Sequence, residues 1–367
     1  MVVIAHTRLR NQRLSSMGFT RPADVVSWLG AVQAQDYPGA KWALGLRMRR
    51  ATDAIVERAL AAGEIVRTHV MRPTWHFVAP ADIRWLLGLT APRVRAAMAR
   101  YEPRLGIDAG LIARSHKVIE AALSGGVQLT RQELKTRLQQ AGIAVNGVQQ
   151  LAQLMMHAEL DALICSGALR GKQFTYALLD ERVPRTKPLA RDAALAELTR
   201  RYFTSHGPAT VQDFVWWSGL TTADARAGLE MARRNLAEDV IDGTTYWLSP
   251  STRRVRRASR TAFLLPLYDE YLIAYRDRRA ALDPTLWKPI AARDPFSAAI
   301  VLDGRVVGGW KRTVTKGSVA VAVDLAVRLS RADLRLVAGA ARRFGAFLGL
   351  RPVIAGLPQA DKSSLHP

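Results

Sequence analysis

Ile65-Val66-Arg67-Thr68-His69-Val70-Met71-Arg72-Pro73-Thr74-Trp75-His76-Phe77-Val78 breaks with everything before it. β-Branched and aromatic residues replace a helical pattern and Arg72-Pro73 marks a turn, so the stretch predicts a β-hairpin. Upstream, Thr20-Arg21-Pro22-Ala23-Asp24 places a hydroxyl, an early proline and an acid as a helix start does. Val25, Val26, Trp28, Leu29 and Val32 then recur at helical spacing. A second helix fits residues 52–62, stopped by Gly63. Ala81-Asp82-Ile83 opens a long helix running past Arg93. Helices followed by a hairpin outline a winged helix, a helix-turn-helix variant.

The outline recurs. Thr130 with Glu133 has the spacing of a capping box, and a longer helix fits residues 148–164, ended by Gly167. Leu169-Arg170-Gly171-Lys172 and Phe174-Thr175-Tyr176-Ala177-Leu178 would form a second wing. A third copy starts at Ala209-Thr210-Val211, continues through a helix over 222–232, and ends in β-like pieces at Val240-Ile241 and Thr245-Tyr246-Trp247-Leu248. Similar repeat lengths without detectable identity suggest tandem units. After Pro250 the character shifts. A basic linker (Arg253, Arg254, Arg256, Arg257, Arg260) leads into β-rich runs, with Asp303-Gly304 as a two-residue hairpin signal and a closing helix over 332–348. The expected domains are 1–105, 106–185, 186–258 and 259–367: three winged helices and a small, mostly β domain.

The 367 residues carry 53 Lys+Arg against 31 Asp+Glu, a formal charge of +22 and a pI near 11.0. Such an excess argues for a polyanionic partner, and nucleic acid above all. Only nine of the basic residues are Lys, and a GC-rich genome inflates Arg without functional demand. The excess is nevertheless large and locally clustered, which favours nucleic acid. No apolar run approaches the roughly 20 residues of a membrane span, and no signal peptide is visible at the start. Cys165 is the only cysteine, which excludes an internal disulfide framework and a Cys-based zinc site. No His-Glu-x-x-His occurs, so no metal is expected. A cytoplasmic location, associated with the nucleoid, is the expectation.

Gln33-Ala34-Gln35 precedes Asp36, Pro38 and Gly39. On a regular helix, positions two apart diverge by about 200°. To serve one site the two amides must lie on extended or turn backbone, and the residues that follow favour that. An amide is a poor general acid or base, but it orients water and donates hydrogen bonds. That suffices only when the leaving group is already good. Taken alone, such a motif is ordinarily polar surface. Arg72 is a candidate phosphate ligand. His76 would contact DNA or orient Gln35, with satisfaction of buried polar groups as the alternative. Tyr37 is a candidate for packing on DNA. Arg253, Arg254, Arg256 and Arg257, and the tip carrying Lys311, Arg312 and Lys316, are candidate phosphate contacts. Trp216-Trp217 reads as core.

These strings resemble the AlkZ-like family of winged-helix DNA glycosylases, from about Thr7 to about Arg351. Gln33-Ala34-Gln35 fits the family's Gln–apolar–Gln motif, and Arg72-Pro73-Thr74-Trp75-His76-Phe77-Val78 fits its downstream string. Tyr268-Asp269-Glu270-Tyr271 and Tyr275-Arg276-Asp277-Arg278 fit the start of its C-terminal domain. The resemblance implies an α+β fold of three tandem winged helices plus a small β-barrel, forming a C-shaped cradle for double-stranded DNA. It implies monofunctional N-glycosidic hydrolysis by Gln33 and Gln35, without metal or organic cofactor, in a monomer. The cationic N7-alkylated guanine, which leaves easily, is the expected base, including bulky or cross-linked adducts. A related branch has Asp as the second residue of the pair. Gln35 points to the branch linked to self-resistance against DNA-alkylating natural products, and Asp36 is out of register with that acid.

Two readings without catalysis compete: a winged-helix transcription regulator or lesion-binding protein, and a structural nucleoid protein. Regulators usually carry one such unit per chain and act as dimers on paired half-sites. Three units in one chain suit a monomer on one DNA site instead.

Overall fold

The computed structural model describes residues 2–16, 18–252, 260–293 and 298–357. The first part runs α1 (Val2–Asn11), α2 (Pro22–Leu29), β1 (Val32–Gln33), α3 (Tyr37–Gly45), α4 (Asp53–Ala61), β2 (Val66–Val70), β3 (Arg72–Val78) and α5 (Ile83–Met98). Then come α6 (Ala109–Leu123), β4 (Leu129–Thr130), α7 (Arg131–Gln140), α8 (Gly147–Leu160), β5 (Ile164–Ser166), β6 (Thr175–Leu178) and α9 (Leu179–Arg182). A third stretch holds α10 (Arg191–His206), α11 (Val211–Ser218), α12 (Thr222–Ala232), β7 (Ala237–Ile241) and β8 (Thr244–Leu248). The last comprises β9 (Ala262–Leu265), α13 (Glu270–Ile273), α14 (Pro284–Arg293), β10 (Ala298–Leu302), β11 (Arg305–Thr315), β12 (Ser318–Leu325), α15 (Arg331–Leu348) and β13 (Arg351–Ala355).

Local chemistry sets many of these limits. Thr52 caps α4 by accepting from the Ile55 N–H, and Gly63 takes φ +76 just past its end. Capping boxes open α7 (Thr130/Glu133) and α11 (Thr210/Asp213). Helix α2 stops at Leu29, and Gly30 at φ +84 turns the chain into β1. The turn between β2 and β3 falls on Met71 (φ +66) rather than on Arg72-Pro73. Pro73 lies in β3 where the register shifts, so its missing N–H interrupts no ladder there. Residues 161–164, read from the sequence as the end of a long helix, instead form a turn and the start of strand β5.

Three sheets receive the hairpins: β1-β3-β2, β4-β6-β5 and β7-β8. The C-terminal sheet has the order β13-β12-β11-β10-β9, with a parallel β12–β13 pair. Helix α15 packs on it, placing Phe344 against Trp42 and Trp310. One apolar core joins residues of α2–α4 to this sheet, through Trp42, Leu44, Phe263 and Trp310. A second core joins β2, β3 and α5 to α10 and α11. A third fills residues 107–178. The first hundred residues therefore divide most of their apolar side chains between the first two cores, with Ile4 packed apart against Tyr246 and Ala280.

A buried clamp locks the end of this assembly. Arg47 grips both oxygens of Asp269 at 2.8 and 2.9 Å and donates to the Gln12 and Ala43 carbonyls. Bidentate guanidinium–carboxylate pairing fixes geometry as well as energy. It holds residues 269–275 against α1 and α3, which determines where Glu270 sits.

Candidate active site

Strand β1 is an edge strand. Gln33 pairs with His76, and the ladder continues through the Ala34 N–H to the Trp75 carbonyl at 2.7 Å. The Gln33 N–H therefore faces away from the sheet, where an unmet donor would be costly. Glu270 Oε1 accepts it at 3.1 Å. Glu270 is fully buried, and its Oε2 accepts from Trp217 Nε1 at 2.8 Å with His206 Nε2 at 3.5 Å. Burial pushes the Glu270 pKa up, but His206, Arg72 and the Gln33 N–H outweigh it and hold the carboxyl below its ordinary range.

The Gln33 side chain is fixed from the other side. Arg72 Nη2 donates to Gln33 Oε1 at 2.9 Å, and Arg72 Nη1 donates to the Trp217 carbonyl at 2.8 Å. That carbonyl belongs to the last turn of α11, where the helix dipole favours a cation. His76 Nδ1 donates to the Thr74 carbonyl at 2.9 Å, which leaves Nε2 as an acceptor 3.4 Å from Arg72 Nη2. With its carbonyl held by Arg72, the Gln33 side chain keeps one open side. That side is a cavity of about 350 Å³, bordered by Arg72, Trp216, Tyr268, Arg278 and Trp287. Tyr268 adopts φ +67, unusual for a residue with a Cβ.

Gln35 lies on an exposed bend, with no side-chain hydrogen bond among the described residues. Its neighbours are pinned. The Ala34 carbonyl accepts from Arg67 Nε at 3.1 Å, and the Asp36 carboxylate is held by Arg312 at 2.9 and 3.0 Å. The backbone at Gln35 is thus held on both sides while its amide stays open.

A profile for the family described as "DNA glycosylase AlkZ-like" matches residues 26–347. The chain belongs to the AlkZ-like DNA glycosylase family. It is 25% identical over 320 residues to a Streptomyces sahachiroi protein described as "Interstrand DNA cross-link repair glycosylase", covering 83% of this chain and 85% of that one. Its fold is similar to that of the solved DNA glycosylase AlkZ of Streptomyces sahachiroi. The TM-score is 0.77 at 22% identity, over 96% of this chain and 98% of the other. An AlkZ-like DNA glycosylase is an enzyme, so the regulator and nucleoid-protein readings fall away.

The candidate residues of this AlkZ-like chain take different positions. Gln33 and Arg72 meet at the cavity, whereas Gln35 lies outside it. His76 is 1% exposed, so it is no DNA contact; it is a buried acceptor facing Arg72. Tyr37 bonds Glu57 through its hydroxyl and packs its ring edge-on against Phe77 and Phe174. Arg312 is committed to Asp36, while Lys311 and Lys316 stay exposed near the β11–β12 tip. Arg253, Arg254, Arg256 and Arg257 lie outside the described residues; Arg260 pairs with Asp333 at 3.1 Å. Trp217 is core, as expected, but Trp216 is 47% exposed and lines the cavity. Glu270, inside the Tyr268-Asp269-Glu270-Tyr271 string, has a role at this site that its sequence context does not reveal. No group of His, Cys, Asp and Glu suited to a metal occurs among the described residues, and no described helix is long and apolar enough to cross a membrane.

Burial, followed by the charge of Arg72, pushes the His76 pKa down to about 3. The unfolded value is about 6.5, so between these limits the unfolded chain binds the proton first. Stability from neutral His76 is fully present above about pH 6.5 and drains away as pH falls toward the folded value. Urea unfolding is therefore expected to become easier from about pH 7.5 to about pH 5. A His76→Gln chain, which keeps an acceptor for Arg72, is expected to show the weaker pH dependence.

Proposed function

We propose that the enzyme hydrolyses the N-glycosidic bond of N7-alkylated guanine in double-stranded DNA, bulky and cross-linked adducts included. The observation that carries this reading is Gln33, its side-chain carbonyl held by Arg72 and its backbone N–H by Glu270, at a cavity edged with aromatic rings. We read the three helix–hairpin stretches as tandem winged helices, the C-terminal sheet as the family's small barrel, and the enzyme as a monomer. The boundaries at 1–105, 106–185, 186–258 and 259–367 are part of that proposal. The exposed Lys311 and Lys316, with Val314 58% exposed between them, would contact DNA at the β11–β12 tip.

The chemistry asks little of acid or base. A water oxygen bonds to C1′ as the C1′–N9 bond breaks. The electron pair passes to the cationic ring, which leaves as a neutral base, and one water proton passes to solvent. Gln35, with a free carbonyl, orients the water. Gln33 donates hydrogen bonds at the sugar's side of the cavity. The buried Glu270 carboxylate favours the developing oxocarbenium charge from behind the strand, a fixed electrostatic contribution that needs no reorganisation. Because both amides leave the water outside a closed chamber, a bulky adduct has room.

Duplex DNA methylated at guanine N7, and duplex carrying a larger N7 adduct, test this. The expected products from both are the free alkylated base and an abasic strand that stays intact until treated with alkali. No base release from either duplex, or strand cleavage without alkali, would contradict the reading.

A further inference from the structure

A second cavity, of about 520 Å³, lies behind the first sheet and shares no lining residue with the cavity at Gln33. Alternate side chains of a strand point to opposite faces. Gln33, His76 and Thr68 form one rung, so Trp75 and Arg67, each one position away from it, face the other way. Across this second cavity stands the segment 172–176 with the N-terminal half of α7.

The chamber is built from cations and rings. The Arg67 guanidinium lies 4.4 Å from the Trp75 ring centroid and 4.5 Å from that of Phe174. Arg67 is 8% exposed, and burial pushes its pKa down only to about 10, so it keeps its charge at neutral pH. Its Nε is spent on Ala34, but its two terminal nitrogens have no hydrogen-bond partner among the described residues. Arg131, Lys135 and Lys172 line the same cavity. Arg131 and Lys135 are four residues apart on α7 and so share a helix face. The carboxylate in the lining, Glu159, is paired with His69. A buried guanidinium set against two aromatic rings, with three further cations lining the same space, matches a flat heteroaromatic ring that carries a phosphate. The volume falls within the range of small-ligand sites.

We propose that this chamber binds a nucleotide, its base against Trp75 and Phe174 beside the Arg67 fork and its phosphate on Arg131, Lys135 and Lys172. The occupant is a free nucleoside monophosphate or one nucleotide of a DNA strand, which share this chemistry. The site is separate from the excision chemistry, on the opposite face of the sheet.

Calorimetric titration of the full chain with thymidine 5′-monophosphate, and with an oligothymidylate of about eight nucleotides, tests it. At least one probe is expected to bind. Lys135→Glu with Lys172→Glu is expected to weaken that binding by about tenfold or more, and Trp75→Leu by a similar factor. The same charge reversal at exposed Lys187 and Lys288 is expected to change it by less than about twofold, because that change acts only through bulk charge. Gln33→Ala is expected to leave it unchanged, so this site and the excision site fail separately. Mononucleotide binding identifies a free nucleotide as the occupant, and oligonucleotide binding alone identifies a strand. Binding of neither probe, or equal weakening by the two charge reversals, overturns the proposal.

Discussion

A Gln35→Ala chain is expected to lose excision of N7-alkylguanine by about a hundredfold or more while its DNA affinity stays within about a few fold. The Gln35 side chain is exposed and bonds no other group among the described residues, so its removal costs the fold almost nothing. The whole effect must then fall on the reaction. A single positioned polar group acting in the transition state commonly accounts for about two to three orders of magnitude. Single-turnover excision beside DNA binding at one fixed salt concentration separates rate from affinity, since affinity for DNA is steeply salt-dependent. Gln35→Glu, which retains an oxygen acceptor, is expected to keep part of the rate. An unchanged rate in Gln35→Ala would remove this residue from the mechanism.

Glu270→Ala is expected to lower the unfolding free energy by about 3–5 kcal/mol, the usual cost of removing one partner from a buried charged network. Four groups lose a partner at once: the Gln33 N–H, Trp217 Nε1, His206 and, through space, Arg72. The sign of the pH dependence follows from the depressed pKa. The unfolded carboxyl titrates near 4.3, and the folded one below its ordinary range. The stabilisation is fully present above about pH 4.3 and is lost as pH falls through the folded value. Urea unfolding at neutral pH and at about pH 4 measures both effects in one series. The Glu270→Ala chain is expected to be the less stable at neutral pH and to lose less on acidification. Equal stability of the two chains at neutral pH would deny Glu270 its supporting place.

What the sequence made legible was local. The capping boxes, the Gly63 stop and the Asp303-Gly304 hairpin (φ +50 and +83) each depend on residues a few positions apart. The requirement that Gln33 and Gln35 leave the helix is met in the same way, by Gly30 and the short strand β1. Pro38 and Gly39, read as a turn, instead lie in the first turn of α3. Proline there needs no donor, and a Cβ on Gly39 would sit 2.3 Å from Asp36 Oδ2. What stayed hidden was long-range. Glu270 is 237 residues from Gln33, and Arg312 is 276 residues from Asp36. Neither pairing leaves a periodic trace, because each arises where the C-terminal segment docks on the N-terminal helices. His76 misled for a related reason. A histidine in an alternating strand reads the same whether its face meets DNA or the interior, and only the docked α11 decides which.

The most direct test is the release of free 7-methylguanine from methylated duplex DNA by the unaltered chain and by Gln33→Ala, side by side. Release by the unaltered chain is expected, and its loss, by about a hundredfold or more, in Gln33→Ala with the fold intact. Equal release by both chains would contradict the placement of the reaction at Gln33, and no release by either would contradict 7-alkylguanine as the base removed.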